Sequence, residues 1–166
     1  MRPPCKLRLF VYGTLQQGQR NFQRYCRGAL AIEPACVLGR LYDLPYGYPM
    51  LEVPPQHVLA VGTLDYERDA ALPASLAGDP RSQADGAAAG DWELIYGEIQ
   101  TFDDPAARLP ALDALENFRP GGESLYHRVV LRPQSPRDEL VWTYVAADGR
   151  LPEGAVRIGL RWPEGS

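Results

Sequence analysis

The segment LRLFVYGTLQQGQRN (residues 7–21) decides the fold of this 166-residue chain, because the predicted backbone changes type within it. Residues 7–12 form a short, mainly apolar run with β-branched and aromatic side chains, which favours a strand. The strand is expected to end at Gly13. Beyond the turn, apolar residues recur at helical spacing over residues 22–30, which predicts an amphipathic helix. The opening unit is therefore predicted to be strand, glycine turn and helix.

Five further segments are rich in β-branched and aromatic residues and are separated by turns that contain proline and glycine. They predict strands at residues 36–44, 58–66, 93–102, 126–132 and 139–145. A short helix is predicted over PALDALENFRPGG (110–122), which has proline at its start and paired glycines past its end. The predicted class is α+β, with mainly antiparallel strands and few helices.

Composition argues against several classes of function. The chain has 17 basic and 21 acidic residues, and it lacks the basic cluster that binds nucleic acid. Cys5, Cys26 and Cys36 form no CxxC pair, so no metal site is expected. No apolar run approaches the ~20 residues of a membrane span, and the first ten residues do not resemble a signal peptide. We expect a soluble, cytoplasmic protein that binds neither nucleic acid nor membranes.

The length predicts one domain over residues 1–166, which is enough chain to bury a core. Residues 69–91 are rich in Ala, Gly, Asp and Pro without periodicity, which predicts a mobile surface insertion. This insertion could act as a lid, although its composition favours plain disorder. From about residue 150 the chain is expected to form a loose tail.

Glu116 occupies a distinctive position in the predicted 110–122 helix. The apolar stripe of that helix is predicted to contain Ala111, Leu112, Leu115 and Phe118. Glu116 falls at the edge of this stripe, whereas Asp113 and Asn117 are expected to face solvent. A carboxylate against apolar side chains loses hydration, which raises its pKa toward the range useful for proton transfer. A glutamate at the rim of a surface helix is the alternative, and helical phase alone does not decide between them.

The ordered set of motifs resembles a known superfamily. FVYGTLQQGQRN (10–21) is followed by LYDLPYGYPML (41–51), by IYGEIQTF, LPALDALENF and LYHRVVLR within 95–132, and by VWTYV (141–145). Together they resemble the γ-glutamylcyclotransferase-like superfamily, particularly its AIG2-like, γ-glutamylamine cyclotransferase branch. The resemblance covers most of residues 7–145. It implies a small mixed, mainly antiparallel β-barrel flanked by a few short helices.

The resemblance also implies an activity that needs no cofactor. The α-amine of a γ-glutamyl group attacks its own γ-carbonyl, which forms 5-oxoproline and releases an amine or amino acid. Glu116 is implied to be the catalytic acid/base, which is needed because an α-amine with a pKa of ~7.7–8.0 must lose a proton before it attacks. The implied substrate-binding positions are Tyr12, Gly13, Thr14, Leu15 and Tyr126.

The turn after the first strand is expected to hold the substrate's α-carboxylate. A glycine at a strand end lets the backbone approach a ligand closely, and successive N–H groups in a turn form a concave anion site. The simpler interpretation is that Gly13 only ends a strand. Tyr48 and Pro49 could shape the pocket wall or form an ordinary turn, while Arg128 is expected to pair with an acidic group.

Two classes of function remain open. One is a γ-glutamyl cyclotransferase, with a small-molecule γ-glutamyl substrate. The other is a non-catalytic module on the same fold that binds a small metabolite or a protein partner. In either case we expect a monomer or a weak homodimer. The sequence does not rank γ-glutamyl amines against γ-glutamyl amino acids as ligands.

Overall fold

The computed structural model describes residues 6–83 and 90–163. Its strands are β1 (Leu7–Val11), β2 (Ala31–Asp43), β3 (Pro49–Glu52), β4 (Ala60–Val61), β5 (Glu93–Phe102), β6 (Tyr126–Leu131), β7 (Val141–Ala146) and β8 (Val156–Arg157). Its α-helices are α1 (Phe22–Tyr25), α2 (Tyr66–Leu76) and α3 (Pro105–Leu115). None of the helices in these ranges is long and apolar enough to cross a membrane.

The strands form one mixed sheet in the order β3-β2-β5-β1-β7-β6-β4, and β8 pairs with β2. β1 and β7 run parallel, and the other pairs are antiparallel. The sheet curls into a half-barrel with a few helices beside it. This confirms the predicted α+β, mainly antiparallel fold class.

Strand β1 lies in the middle of the sheet and is buried on both faces. Leu7, Leu9 and Val11 belong to the hydrophobic cluster that the helices cover, whereas Phe10 and Tyr12 belong to a second cluster. Successive side chains of a strand point to opposite faces, so a central strand contributes to both clusters. The turn after β1 therefore leaves a strand that is packed on both faces.

The helix predicted over residues 22–30 is a single turn. α1 covers Phe22–Tyr25, and Gly28 adopts a positive φ of 88°. A left-handed residue cannot continue an α-helix, and glycine adopts this conformation without steric cost. The backbone N–H of Leu30 then donates to Thr101 O at 2.7 Å, which starts the pairing of β2 with β5.

The strand predicted at 58–66 is shorter than expected and leads into a helix. Only Ala60–Val61 form a strand, and the Asp65 side chain caps α2 by accepting from the N–H of Arg68 at 3.2 Å. Aspartate is a favoured N-cap, so this residue ends the extended segment.

Irregular structure was expected over residues 69–91. Helix α2 occupies Tyr66–Leu76 and a 3₁₀ turn occupies Pro80–Gln83, while residues 84–89 lie outside the described ranges. Asp69 anchors this segment, because its side chain is 1% exposed. Mobility of the 69–91 insertion stays a prediction.

The segment predicted as a loose tail makes contacts with the sheet. Strand β8 pairs with β2, and the N–H of Ile158 donates to Leu41 O at 2.9 Å. Trp162 donates from its ring N–H to the Asp43 carboxylate at 3.1 Å.

Helix α3 begins at Pro105, five residues before the predicted start, and Pro110 lies inside it. Its buried face contains Pro105, Leu109, Leu112 and Asp113. The expectation that Asp113 faces solvent is therefore wrong, because its carboxylate lies on the buried face of α3, where Arg128 and Tyr144 donate hydrogen bonds to it. Ala111, predicted in the apolar stripe, is exposed.

Candidate active site

A cavity of about 320 Å³ opens beside the end of β1. Its wall is formed by the turn after β1, the residues that enter β3, the end of α3 and the start of β6. The structure brings together all the site positions named from the sequence. These residues are Tyr12, Gly13, Thr14, Leu15, Glu116 and Tyr126.

Several further residues line this cavity. Tyr48 and Pro49, which the sequence suggested as wall residues, both lie on it. The residues that sequence reasoning did not assign to the cavity are Phe10, Val11, Arg20, Asn21, Leu115, Asn117, Leu125 and Tyr144. The polar Arg20-Asn21 pair lies five residues after the end of the glycine turn at Leu15, and that proximity was the signal that could have identified it.

The turn after β1 leaves hydrogen-bond donors available. Its carbonyls are used, since Gly13 O accepts from the N–H of Gln16 at 3.1 Å and Thr14 O accepts from that of Asn21 at 3.0 Å. The Asn21 side chain also donates to Thr14 Oγ1 at 2.9 Å. Within residues 6–83 and 90–163, the N–H groups of Gly13, Thr14 and Leu15 donate to no protein acceptor. These amides, with the Thr14 hydroxyl proton, can bind an anion.

Gly13 is required by a close approach of Pro49. A Cβ at position 13 would lie 2.5 Å from Pro49 Cγ and 2.8 Å from Cδ, which is closer than non-bonded carbons can come. The carbonyl of Pro49 accepts a hydrogen bond from the Tyr126 hydroxyl at 2.6 Å. The lack of a side chain at Gly13 thus allows the turn after β1 to pack directly against Pro49.

Replacing Gly13 by Ala is expected to destabilise the protein by about 1–3 kcal/mol, because the added methyl group overpacks the contact with Pro49. Urea denaturation measures the change. Gly159→Ala is the matched control, because a Cβ at Gly159 meets no atom within 4 Å. Equal stability of the two variants would contradict the packing role of Gly13.

Glu116 follows the last residue of α3, where its N–H donates to Leu112 O at 2.9 Å. Its side chain is partly buried and forms no ion pair with the part of the chain that the structure describes. Burial, and secondly the negative charge of Asp113, raise the pKa of Glu116 to about 8. The shift has the direction expected from the sequence. A carboxyl group with this pKa can both accept and donate a proton near neutral pH.

Asp113 belongs to a buried ion cluster beside the cavity. Its two oxygens accept from Arg128 Nε at 2.8 Å and Nη2 at 3.1 Å, and the Tyr144 hydroxyl donates to Oδ1 at 2.6 Å. Arg128 Nη1 also contacts Asp69 Oδ2 at 3.0 Å. The Arg128 side chain is 0% exposed, and the expectation that it pairs with an acidic group is confirmed. These hydrogen bonds hold the Asp113 carboxylate in place, one helical turn before Glu116.

The two tyrosines named from the sequence support the cavity wall. The Tyr12 hydroxyl donates to Tyr144 O at 2.7 Å and accepts from the N–H of Leu51 at 3.2 Å. The Tyr126 hydroxyl donates its proton to Pro49 O, so the hydroxyl oxygen can only accept a hydrogen bond from a ligand. Burial raises the pKa of both phenols, and they stay protonated at neutral pH.

Among the described residues, no three His, Cys, Asp or Glu side chains are arranged to hold a metal ion. The cavity instead combines one partly buried carboxyl group, a set of unengaged backbone amides and one arginine at its rim. This arrangement suits proton transfer and anion binding.

Comparisons with known proteins agree with the fold. A family profile described as "Gamma-glutamyl cyclotransferase, AIG2-like" matches residues 9–77. The crystal structure of an AIG2-like protein from mouse is similar at 21% identity and a TM-score of 0.50, with 90% of this chain and 82% of that chain covered. No curated protein matches the sequence significantly.

Two solved structures from Kluyveromyces lactis share the fold as parts of much longer chains. These are allophanate hydrolase and urea amidolyase, each at 16% identity and a TM-score of 0.52. The matches cover 92% of this chain but only 19% and 7% of those chains. The family profile over residues 9–77 and the fold shared with the mouse protein agree with the resemblance of the motif set to the γ-glutamylcyclotransferase-like superfamily.

Proposed function

We propose that this protein is a cofactor-free γ-glutamyl cyclotransferase, which converts a γ-glutamyl compound into 5-oxoproline and a free amine. The match of residues 9–77 to the profile described as "Gamma-glutamyl cyclotransferase, AIG2-like" supports a function of this type in general terms. The observation that carries the specific proposal is the shared cavity, which is lined both by Glu116 and by the residues 13–15 whose amides are unengaged.

The amides of residues 13–15 bind the substrate's α-carboxylate, and the Thr14 hydroxyl donates a further hydrogen bond. Backbone N–H groups of a rigid turn need no reorganisation when the anion arrives, which favours tight and oriented binding. The same group of donors can also stabilise negative charge that develops on the γ-carbonyl oxygen.

Glu116 moves one proton. Its carboxylate accepts a proton from the substrate's α-ammonium group, and the freed amine nitrogen forms a bond to the γ-carbonyl carbon. When the tetrahedral intermediate collapses, the bond from this carbon to the leaving nitrogen breaks, and Glu116 returns the proton to that nitrogen. The ring nitrogen, which still carries two hydrogens after the attack, releases its second proton to water, and the product is the neutral lactam of 5-oxoproline. The group ends each cycle in the state in which it began, so one carboxyl serves as base and then as acid.

The reaction is expected to be fastest near pH 8. In the reactive state, Glu116 and the substrate's α-amine together carry one proton. Glu116 has a pKa of about 8, and an α-amine has a pKa of ~7.7–8.0. Below this range Glu116 is already protonated, and above it neither group carries the proton that the leaving nitrogen needs. A plot of kcat/KM against pH should therefore be a bell centred near pH 8. A broad plateau from about pH 4 to 8 would show instead that Glu116 has an ordinary carboxyl pKa.

The direct test mixes the purified protein with a panel of γ-glutamyl amines and γ-glutamyl amino acids and measures 5-oxoproline by mass spectrometry. A sample without protein controls for spontaneous cyclisation. Thermal unfolding of the protein is followed in parallel with each compound. A compound that raises the Tm without ever yielding 5-oxoproline would favour a non-catalytic binding module and contradict the proposal.

A further inference from the structure

Arg20 is the basic side chain among the described residues that line the cavity, and it lies at the exposed rim. Its guanidinium group reaches across to the turn at residues 46–48. A Cβ placed on Gly47 would lie 3.5 Å from Arg20 Nη1 and 3.8 Å from Nη2. Arg20 therefore spans the cavity mouth, from the loop that follows the 13–15 turn to the turn that precedes β3.

Arg20 forms no ion pair within residues 6–83 and 90–163, although other arginines near the sheet do. Arg40 and Arg157 both contact Asp91, and Arg108 pairs with Asp104. The acidic group on the cavity wall is Glu116, which is mostly protonated at neutral pH and does not neutralise the arginine. The mouth of the cavity thus carries a positive charge that a ligand can use.

The cavity offers two anion-binding groups at different depths. The amides of residues 13–15 are part of a buried turn, whereas the Arg20 side chain is exposed and lies against Gly47. A γ-glutamyl group presents one α-carboxylate, which the buried amides bind. The arginine at the mouth then faces the portion of the substrate beyond the bond that breaks.

We infer that Arg20 selects substrates whose released amine carries a carboxylate, which makes γ-glutamyl amino acids better substrates than γ-glutamyl alkylamines or polyamines. This inference rests on the proposed function. An arginine forms charge-assisted hydrogen bonds with a carboxylate, which an uncharged leaving group cannot accept. It also repels the cationic tail of a γ-glutamyl polyamine, so discrimination has an attractive and a repulsive part.

The test uses γ-glutamylalanine and γ-glutamylethylamide, which differ only by the carboxylate on the leaving amine. The wild-type protein is expected to favour γ-glutamylalanine. Arg20→Gln should lower kcat/KM for γ-glutamylalanine by about tenfold, as expected for one partly exposed charged contact. It should leave the value for γ-glutamylethylamide within about twofold. Arg24→Gln is the matched control, since Arg24 is exposed, lies over the Tyr25 ring and is not among the cavity-lining residues.

The possible results separate this inference from the proposed function. An equal loss for both substrates would assign Arg20 to the α-carboxylate and overturn the inference, while the cyclase activity stands. An unchanged rate with γ-glutamylalanine would overturn it as well. If neither compound is turned over, the cyclase proposal fails, and calorimetric binding of the same two compounds to wild type and Arg20→Gln still decides the role of Arg20.

Discussion

Replacing Glu116 by Gln is expected to lower the rate of 5-oxoproline formation by about 10²–10⁴-fold, because the glutamine side chain has the same shape but cannot accept or return a proton. The effect should appear in kcat, since the side chain acts on the reacting nitrogens and not on the substrate's carboxylates. Mass spectrometry of the product under saturating substrate measures it. Equal product formation by both proteins would remove Glu116 from the mechanism.

Two controls accompany this substitution. Glu123→Gln changes an exposed carboxylate outside the cavity and should leave the rate unchanged. The Glu116→Gln protein should also fold. The folded-state pKa of Glu116 is raised to about 8, whereas its unfolded-state pKa is ~4.3. The free energy of unfolding of the wild type therefore falls as the pH rises above ~4.3, and the loss is complete above pH 8. The variant should therefore unfold at a higher temperature than wild type at pH 9.

Replacing Arg128 by Met is expected to destabilise the protein by about 3–5 kcal/mol, because two buried carboxylates lose their shared partner. Asp113 is 4% exposed and Asp69 is 1% exposed, so water does not compensate either charge. The guanidinium also lies 4.7 Å from the centroid of the Trp142 ring, and this contact is lost as well. Urea denaturation at neutral pH measures the change in the free energy of unfolding.

Two further variants show whether the loss comes from the buried charges. Arg8→Met removes an arginine from an exposed pair with Glu139 and should cost less than about 1 kcal/mol. Arg128→Lys keeps one positive charge, so its loss in free energy of unfolding should lie between those of Arg8→Met and Arg128→Met. This variant can be measured even if Arg128→Met is too unstable to purify. If Arg128→Met were as mild as Arg8→Met, the ion cluster would not be a stabilising element of the fold.

The sequence predicted the fold class and much of the sheet. Strand β5 has the predicted bounds of 93–102, and β1 differs from its predicted end by one residue. These segments carry β-branched and aromatic side chains between turn residues, so the local signal is strong. The positions named for the site also line one cavity, while their roles in chemistry stay predictions.

The helices were predicted less well, because their limits depend on contacts outside the helix. α1 ends after one turn at the approach to Gly28, and α2 forms where an irregular loop was expected. The start of α3 was placed five residues late, and Asp113 was assigned to the solvent face although it is buried. Asp113 lies on the buried face because Arg128 and Tyr144 donate hydrogen bonds to its carboxylate, and hydrophobic periodicity does not register such a long-range contact.

By itself, the amino-acid sequence determined the strand pattern, the glycine at the end of β1 and the presence of a carboxyl group one turn after Leu112. Those features follow from local side-chain chemistry and spacing. Tertiary structure alone decided which groups meet: Arg128 contacts Asp113 across 15 positions and Asp69 across 59. Packing buries these paired groups, and partial burial together with the nearby charge of Asp113 raises the pKa of Glu116.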